Sequence, residues 1–243
     1  MDARQQAYLK AMGIDIWLPR SPAATMSDSA AVEPLPEISV PSTQADQPEP
    51  GNLTGLDWST LEARVSNCSL CSLHQGRSQT VFGVGNPQAD LMIIGEAPGA
   101  EEDHQGEPFV GRAGQLLNAM LRAINFERQT VYITNLLKCH PPENRDPTPA
   151  ELAQCRPYLQ RQIELIQPKV ILVVGGVAAQ TLLQTDTKVG QLRGQLYSYP
   201  PTNTPLIVTY HPAYLLRKPL DKGKVWQDLL FVKKTLGDQG QAV

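Results

Sequence analysis

The sequence predicts a layered α/β domain built around a parallel sheet. Four short, nearly continuous apolar runs occur between residues 90 and 209, and segments with helical spacing lie between them. Such runs are typical of strands buried on both faces of a parallel sheet, and their alternation with helices indicates a layered α/β fold. In folds of this kind, ligands bind at the carboxyl ends of the strands.

The predicted elements follow in order along the chain. A first helix is expected over STLEARVSNC, with Ser59 and Glu62 as a capping box. The four predicted strands are 90–94 (DLMII), 130–134 (TVYIT), 169–174 (KVILVV) and 205–209 (PLIVT). The remaining helices are predicted over 112–124, 149–166, a short stretch after Gly176, and 222–236. No internal repeat is found.

The ends of the chain differ from this pattern. Residues 1–18 predict a short amphipathic helix with an apolar face of Tyr8, Leu9, Met12, Ile16 and Trp17. Residues 19–55 contain seven prolines and few large apolar groups, a composition that predicts a disordered linker. A short disordered tail is expected over 238–243, which leaves 56–237 as the folded domain. The N-terminal peptide either docks on a partner or folds back on its own domain.

Composition and charge narrow the class of protein. The 243 residues are 41% apolar and 19% charged, and no apolar run approaches the roughly 18 residues that a membrane helix needs. The N-terminus lacks the pattern of a signal peptide, so a cytoplasmic protein of the bacterial cytosol is expected. Residues 156–243 carry 11 basic and 5 acidic residues, a net charge of +6. This third of the chain either faces a polyanion or simply has scattered solvated charges.

The residues with the most distinctive chemistry lie just after the predicted strands. Glu96, Phe109, Asn135 and His211 follow three of the four runs, and parallel topology brings those loops to one edge of the sheet. Asn135 either reads the edge of a pyrimidine or caps a turn. Phe109 either stacks on a base or fills the core. His211 either donates a hydrogen bond to charge developing on a leaving oxygen or bonds to the backbone.

The loop after the first strand is glycine-rich but acidic. The segment GEAPGAEEDHQGEPFVG, residues 95–111, carries five acids and no basic residue. Glycine-rich turns between a strand and a helix commonly bind phosphate, yet that role calls for positive charge. The loop therefore suits a different ligand.

The four cysteines have a spacing that indicates a metal site. Cys68 and Cys71 form a CxxC pair, and Cys139 and Cys155 follow farther along the chain. In a cytosolic protein, cysteines more commonly bind metals or remain free than form disulfides. Four thiolates can hold a tetrahedral zinc ion or a [4Fe–4S] cluster, and the wide gap between the last two cysteines departs from the usual zinc pattern.

Four motifs follow one another along the chain: GEAPGAEEDHQGEPFVGRAGQLL, TNLLKCHPPENRDPTPAELAQCRPYL, VGGVAAQTLL and HPAYLLR. Through these motifs, and through the order and spacing of all four cysteines, the chain resembles the family-4 uracil-DNA glycosylases over residues 60–236. The resemblance implies a three-layer α/β/α domain with a central four-stranded parallel sheet. It also implies a structural [4Fe–4S] cluster held by Cys68, Cys71, Cys139 and Cys155.

The resemblance further implies a role for each candidate residue. Glu96 would act on the water and sugar side, and His211 would stabilise the departing uracil anion. The uracil itself would contact Gly95, stack on Phe109 and be read by Asn135. The DNA contacts would come from Leu215 or Leu216, inserted into the vacated space, and from Arg217 and Lys218 on phosphate. The acidic loop then suits a neutral base and a water.

Two other hypotheses arise from the sequence. The segment YLKAMGIDIWLPRSP is similar to the N-terminal peptide of the psi subunit of bacterial DNA polymerase III, which implies docking of residues 1–20 on the chi subunit. In that case, the glycosylase-like domain of a replisome accessory protein would serve for DNA binding or as a second activity. The other hypothesis is a zinc-stabilised nucleic-acid-binding domain without catalysis.

Overall fold

A computed structural model of the chain describes residues 53–240. The predicted N-terminal peptide and almost all of the predicted linker lie outside the described residues, as does the end of the tail. Leu53 is buried, so packing of the domain begins before residue 56. Among the described helices, none is both long and apolar enough to cross a membrane.

A mixed sheet of six strands forms the centre of the described region. Its strands, in chain order, are β1 (Val84–Gly85), β2 (Leu91–Gly95), β3 (Tyr132–Asn135), β4 (Val170–Val174), β5 (Leu196–Tyr199) and β6 (Thr204–Thr209). The order across the sheet is β1-β3-β2-β4-β6-β5. The four inner strands are parallel to one another, as predicted, and the short edge strands β1 and β5 pair antiparallel to their neighbours.

Helices connect the strands. They are α1 (Trp58–Ser66), α2 (Ala100–Gln105), α3 (Arg112–Ala123), α4 (Pro149–Ile166), α5 (Gly176–Leu183), α6 (Val189–Leu192), α7 (Pro212–Arg217) and α8 (Lys222–Gly240). Short 3₁₀ helices cover Ser72–Gln75, Pro142–Asn144 and Pro219–Asp221. The predicted helices over 112–124 and 149–166 are therefore confirmed to within a residue, and the last helix extends beyond its predicted end.

The inner strands are buried on both faces, which gives the fold three layers. On one face, alternate strand residues such as Ile94 and Val173 pack against Leu159 and Ile163 of α4 and against α5. On the other face, the intervening strand residues pack against helices α3 and α8. Every residue of β2 and β4 is buried, which explains why their sequences lack the polar alternation of a half-exposed strand.

The predicted cap of the first helix was wrong. Asp57, and not Ser59, is the N-cap of α1, and its carboxylate accepts a hydrogen bond from the Thr60 N–H at 2.8 Å. Ser59 lies within the helix, and its hydroxyl donates to the same carboxylate. Both Asp and Ser are good N-caps, and the prediction placed the cap two residues too late in the chain. The capping box predicted with Glu62 does not form because the helix begins earlier.

Candidate active site

A cavity of about 440 Å³ opens at the carboxyl ends of the parallel strands. Glu96, Phe109, Asn135 and His211 all line it, and they come from the end of β3 and from the loops that follow β2 and β6. The rest of the lining comes from Ala97, Pro98, Gly99, Glu102, Ala113, Pro141, Asn144, Arg145, Gly175, Gly176, Ala213, Tyr214 and Arg217. Sheet topology thus brings together residues that are far apart in the sequence.

Gly95 and Asn135 are paired neighbours at the ends of β2 and β3. A Cβ atom on Gly95 would lie 2.3 Å from Asn135 Oδ1 and 2.7 Å from Phe109 Cζ, so a glycine is required for this close approach. The Asn135 side chain is almost completely buried, and its Oδ1 atom has no hydrogen-bond partner. Because buried polar atoms are normally paired, an unpaired oxygen beside a cavity indicates a ligand that donates to it.

Phe109 is held with its ring in the cavity by an unusual backbone. Its φ angle is +54°, a left-handed conformation that is uncommon for a bulky residue. The guanidinium of Arg128 donates to the carbonyls of Pro108 at 2.5 Å and Phe109 at 3.3 Å. The Phe109 and His211 rings lie 5.6 Å apart and are tilted by 31°. The cavity wall therefore has a flat aromatic surface, and the hydrogen bonds from Arg128 to the backbone of Pro108 and Phe109 hold it in position.

The acidic loop is closed on itself by one carboxylate. Glu102, in α2, accepts hydrogen bonds from the N–H groups of Gly99 at 3.1 Å, Val110 at 3.0 Å and Gly111 at 3.3 Å. The two ends of the segment are joined in this way, and Phe109 lies between them. The acids of this loop thus include one with a structural role, which the sequence pattern did not distinguish from the others.

Glu96 is a partly buried carboxylate that lines the cavity. Desolvation, with a smaller contribution from the charge of Asp146, raises its pKa to about 6. The carboxylate is therefore ionised near neutral pH but is easily protonated below it. A carboxylate with this pKa can stabilise positive charge or accept a proton from water.

His211 has a defined tautomer. It is the N-cap of α7, where its Nδ1 atom accepts a hydrogen bond from the Ala213 N–H at 3.1 Å. Burial and the charge of Arg217 lower its pKa to about 4, so the imidazole is neutral at neutral pH. Because Nδ1 is an acceptor, the proton of the neutral ring is on Nε2. His211 is thus a neutral hydrogen-bond donor.

The residues after His211 separate into buried and exposed groups. Leu215 is 1% exposed and belongs to the core, whereas Leu216 is 38% exposed. Arg217 and Lys218 are exposed, and Arg217 also lines the cavity. Of the two leucines considered for insertion into DNA, only Leu216 lies on the surface in this structure.

A second cation, Arg145, also lines the cavity. It forms a two-pronged ion pair with Glu151, with N–O distances of 2.6 and 2.9 Å. This pairing lowers the pKa of Glu151 to about 2. The cavity thus has Glu96 among its lining residues and cations at its rim, an arrangement suited to a neutral ligand attached to a polyanion.

The four cysteines line a second, smaller cavity. Cys68 and Cys71 follow α1, Cys139 follows β3, and Cys155 lies in α4. All four are free. The Arg77 guanidinium donates to Cys139 Sγ at 3.0 Å, and the Lys138 N–H lies 3.4 Å from Cys155 Sγ. Cation and N–H donors of this kind suit sulfur atoms that carry negative charge.

The cysteine sulfur atoms do not converge on one point. Within residues 53–240, no group of three or more His, Cys, Asp or Glu side chains is placed to hold a single metal ion. A tetrahedral zinc site needs all its ligands within about 2.3 Å of the ion. The arrangement is therefore one of four thiols around a cavity.

A buried lysine between the two cavities was missed by sequence reasoning. Lys138 is 1% exposed, and desolvation lowers its pKa to about 7. The signal was present in NLLKC, where one cation lies between a buried strand and a cysteine. Its partners come from distant segments, which no local pattern reveals.

Comparisons with known proteins identify the family of this chain. A model of the uracil DNA glycosylase superfamily matches residues 82–230. A type-4 uracil-DNA glycosylase of Archaeoglobus fulgidus is 45% identical over 161 residues, or 64% of this chain and 81% of the relative. One of Pyrobaculum aerophilum is 41% identical over 180 residues, 72% of this chain and 92% of the relative.

A different kind of relative also matches this chain. A DNA polymerase of Bacillus phage SP01 is 30% identical over 152 residues, which are 62% of this chain and 16% of the phage protein. The matched part of that protein is thus a small segment of a much longer chain.

By the superfamily match and by the extent of its similarity to the archaeal enzymes, this chain belongs to the type-4 uracil-DNA glycosylases.

Proposed function

We propose that this chain removes uracil from DNA by hydrolysing the N-glycosidic bond, which leaves an abasic site. Family membership supports this activity. The observation that carries the site assignment is the buried, unpaired Oδ1 of Asn135 beside the ring of Phe109. Uracil N3–H is a donor for that oxygen, O4 is an acceptor for the amide N–H₂, and the Phe109 ring offers a stacking surface.

The reaction needs both ends of the breaking bond to be stabilised. Positive charge develops on the sugar, as in other glycosyl transfers, and negative charge develops on uracil. In the proposed mechanism, the Glu96 carboxylate faces the sugar and orients a water molecule. The neutral His211 donates its Nε2–H to the uracil oxygen that gains charge. The low pKa of His211 suits this role because it keeps the imidazole neutral at neutral pH. A neutral imidazole donates a hydrogen bond without transferring its proton.

DNA is engaged at the rim. The target base must leave the stack, and uracil opposite guanine is among the least costly bases to extrude. Leu216 is the exposed apolar side chain that would fill the vacated space. Arg217 and Lys218 would bind phosphate, which positions the duplex without reading its sequence.

The four cysteines are proposed to hold a structural [4Fe–4S] cluster. The donor set fits: four free thiols line one cavity, and Arg77 and the Lys138 N–H donate to two of the sulfur atoms. Such clusters bind one thiolate at each iron, so the thiols need not converge on one point. When bound, the cluster would fix the segments that carry Cys139 and Cys155 against each other. Uracil excision itself uses none of its redox chemistry.

The activity can be tested with a 5′-labelled oligonucleotide that contains one uracil, either single-stranded or opposite guanine. Iron-replete protein is expected to produce an alkali-labile site at the uracil only. Asn135→Ala and His211→Ala should each lower the single-turnover rate by about 100-fold, since each removes a group directed at the base. The matched controls Asn118→Ala and His104→Ala, which change residues outside the cavity lining, should retain the rate. A folded, iron-replete protein without cleavage would contradict the proposal.

A second function, tethering to the replication machinery, is supported by the phage relative. In that protein, the related segment is part of a DNA polymerase. The sequence similarity of residues 1–20 to the psi peptide points to the chi subunit as the partner in this case. The two functions are compatible, because a glycosylase at the fork meets uracil in exposed template.

The tether is tested by capture of purified chi with the full chain and with a chain lacking residues 1–20. Equal capture by both proteins would exclude docking through this peptide.

A further inference from the structure

Lys138 is a buried cation that the proposed mechanism does not use. Its Nζ atom has four acceptors: Thr134 Oγ1 at 2.5 Å, Gln162 Oε1 at 2.7 Å, the Asn135 carbonyl at 3.0 Å and the Phe82 carbonyl at 3.3 Å. None of the ion pairs formed within residues 53–240 includes it. A buried charge is costly unless it is fully hydrogen-bonded, so this site has a specific reason to contain lysine.

The contacts of the ammonium group hold the end of strand β3. Lys138 reaches back to Thr134 and Asn135, the last two residues of the strand. A hydrogen bond to the Asn135 carbonyl fixes the peptide plane that follows Asn135 and therefore its ψ angle. This hydrogen bond and the pairing with Gly95 together hold the Asn135 backbone from which the side chain projects.

The same network anchors this strand end to α4. Gln162 accepts from Lys138, and its amide N–H₂ donates to the Phe82 carbonyl at 3.0 Å and to the Tyr132 hydroxyl at 3.1 Å. The backbone N–H of Lys138 is directed at Cys155, also in α4. One residue thus connects the cysteine-lined cavity, through α4, with the strand that carries Asn135.

We infer that Lys138 is the positioning residue for the base-reading amide of Asn135. This inference rests on the proposed function, because it assigns the purpose of Lys138 to the recognition of uracil. An apolar side chain of similar length would fill the volume but withdraw the donor from four buried acceptors. Of these, the Phe82 carbonyl keeps the Thr134 hydroxyl and the Gln162 amide as donors. The end of β3 would then relax, and the Asn135 amide would lose its fixed place beside Gly95. Displacements of about 1 Å in positioning groups can lower rates by about 100-fold.

A double-mutant cycle tests the inference. Lys138→Met is made in the wild-type chain and in Asn135→Ala. For each protein, kcat/KM for a uracil-containing oligonucleotide is measured at steady state, together with iron per chain. Lys138→Met is expected to lower kcat/KM by about tenfold or more in the wild-type chain and by less than about twofold in Asn135→Ala. Such non-additivity is the signature of a residue that acts through another. Lys169→Met, an exposed lysine paired with Asp90, is the matched control and should have no effect.

Each other outcome has a definite meaning. Equal losses in both backgrounds would show that Lys138 stabilises the fold generally, and an unchanged rate in Lys138→Met would also overturn its positioning role. A fully active Asn135→Ala would contradict the proposed base reading itself and this inference with it.

If Lys138→Met fails to fold or to retain iron, Gln162→Met removes one acceptor of the ammonium while keeping the lysine. Its loss of activity should likewise vanish in the Asn135→Ala background, and an additive loss would overturn the inference.

Discussion

At the scale of single residues, the site depends on a carboxylate and an imidazole whose ionisation is shifted in opposite directions. Burial raises the pKa of Glu96 to about 6 and lowers that of His211 to about 4. Both side chains are therefore in the form that the proposed mechanism needs at neutral pH, namely a carboxylate and a neutral donor. Differently shifted pairs of this kind are typical of active sites.

The pH dependence of the rate follows from Glu96. Its carboxyl is protonated below its pKa of about 6, so the rate is expected to fall as the pH falls through that value. One pH unit below the pKa, about a tenth of the carboxylate remains, and the single-turnover rate should be about tenfold lower. Glu96→Gln should be slow at every pH and show no such fall. A rate that stays constant down to a pH near 5 would contradict a catalytic role for the ionised carboxylate.

Gly95 offers a steric test of the same site. In Gly95→Ala, the new methyl group would lie 2.3 Å from Asn135 Oδ1 and 2.7 Å from Phe109 Cζ, which no real contact tolerates. We expect a folded protein that has lost uracil excision by about 100-fold, because the base-reading and stacking groups are displaced. Gly223→Ala, where the added methyl group would meet nothing within 4 Å, is the matched control. Comparable activity in the two variants would show that the close approach at Gly95 is not needed.

Sequence reasoning found the residues at the strand ends and missed those that hold them. Asn135 and His211 could be identified because they directly follow predicted strands, where parallel topology places ligands. Lys138 and Arg128 escaped notice because their partners are backbone carbonyls and side chains from separate segments. Hydrogen bonds to a carbonyl leave no pattern in the sequence, since every residue has one.

At the scale of elements, the buried inner strands could be predicted from the sequence, and the two edge strands could not. The inner strands read as continuous apolar runs because both their faces are covered by helices. The edge strand β5, with its first three residues partly or fully exposed, has no such run, and β1 has only two residues. A two-residue strand exists only through its partner β3, so no local preference could predict it.

Of two neighbouring leucines in helix α7, Leu215 is buried in the core and Leu216 is exposed. Leu215→Ala should lower the free energy of unfolding by about 2–5 kcal/mol, since it leaves a cavity in the core. Leu216→Ala should leave stability nearly unchanged and reduce excision from double-stranded DNA more than from single-stranded DNA, because only a duplex needs its vacated space filled. Chemical unfolding and rates on both substrates distinguish the two effects. A Leu216→Ala variant with equal losses on both substrates would not fit the role of a wedge.

At the scale of the whole molecule, the cysteine-lined cavity connects α1, α4 and the end of β3. A group that binds only the folded chain stabilises it by mass action, by about 4 kcal/mol at about a thousandfold excess over its dissociation constant. Removal of iron is therefore expected to lower Tm by about 10 °C. Cys155→Ser should have a low Tm already and show little further change on chelation. An unchanged Tm after verified loss of iron would contradict the proposed structural cluster.

The carboxylate of Glu102 has a consequence for the end of the reaction. By accepting hydrogen bonds from three backbone N–H groups, it joins Gly99 to Val110 and Gly111 around Phe109. A recognition surface held by hydrogen bonds within its own loop loses little conformational entropy on binding. Free uracil presents the same edge and face as uracil in DNA, so the proposed base-reading surface should keep affinity for it after the bond is broken. The released base is therefore expected to inhibit competitively and to slow turnover as it accumulates.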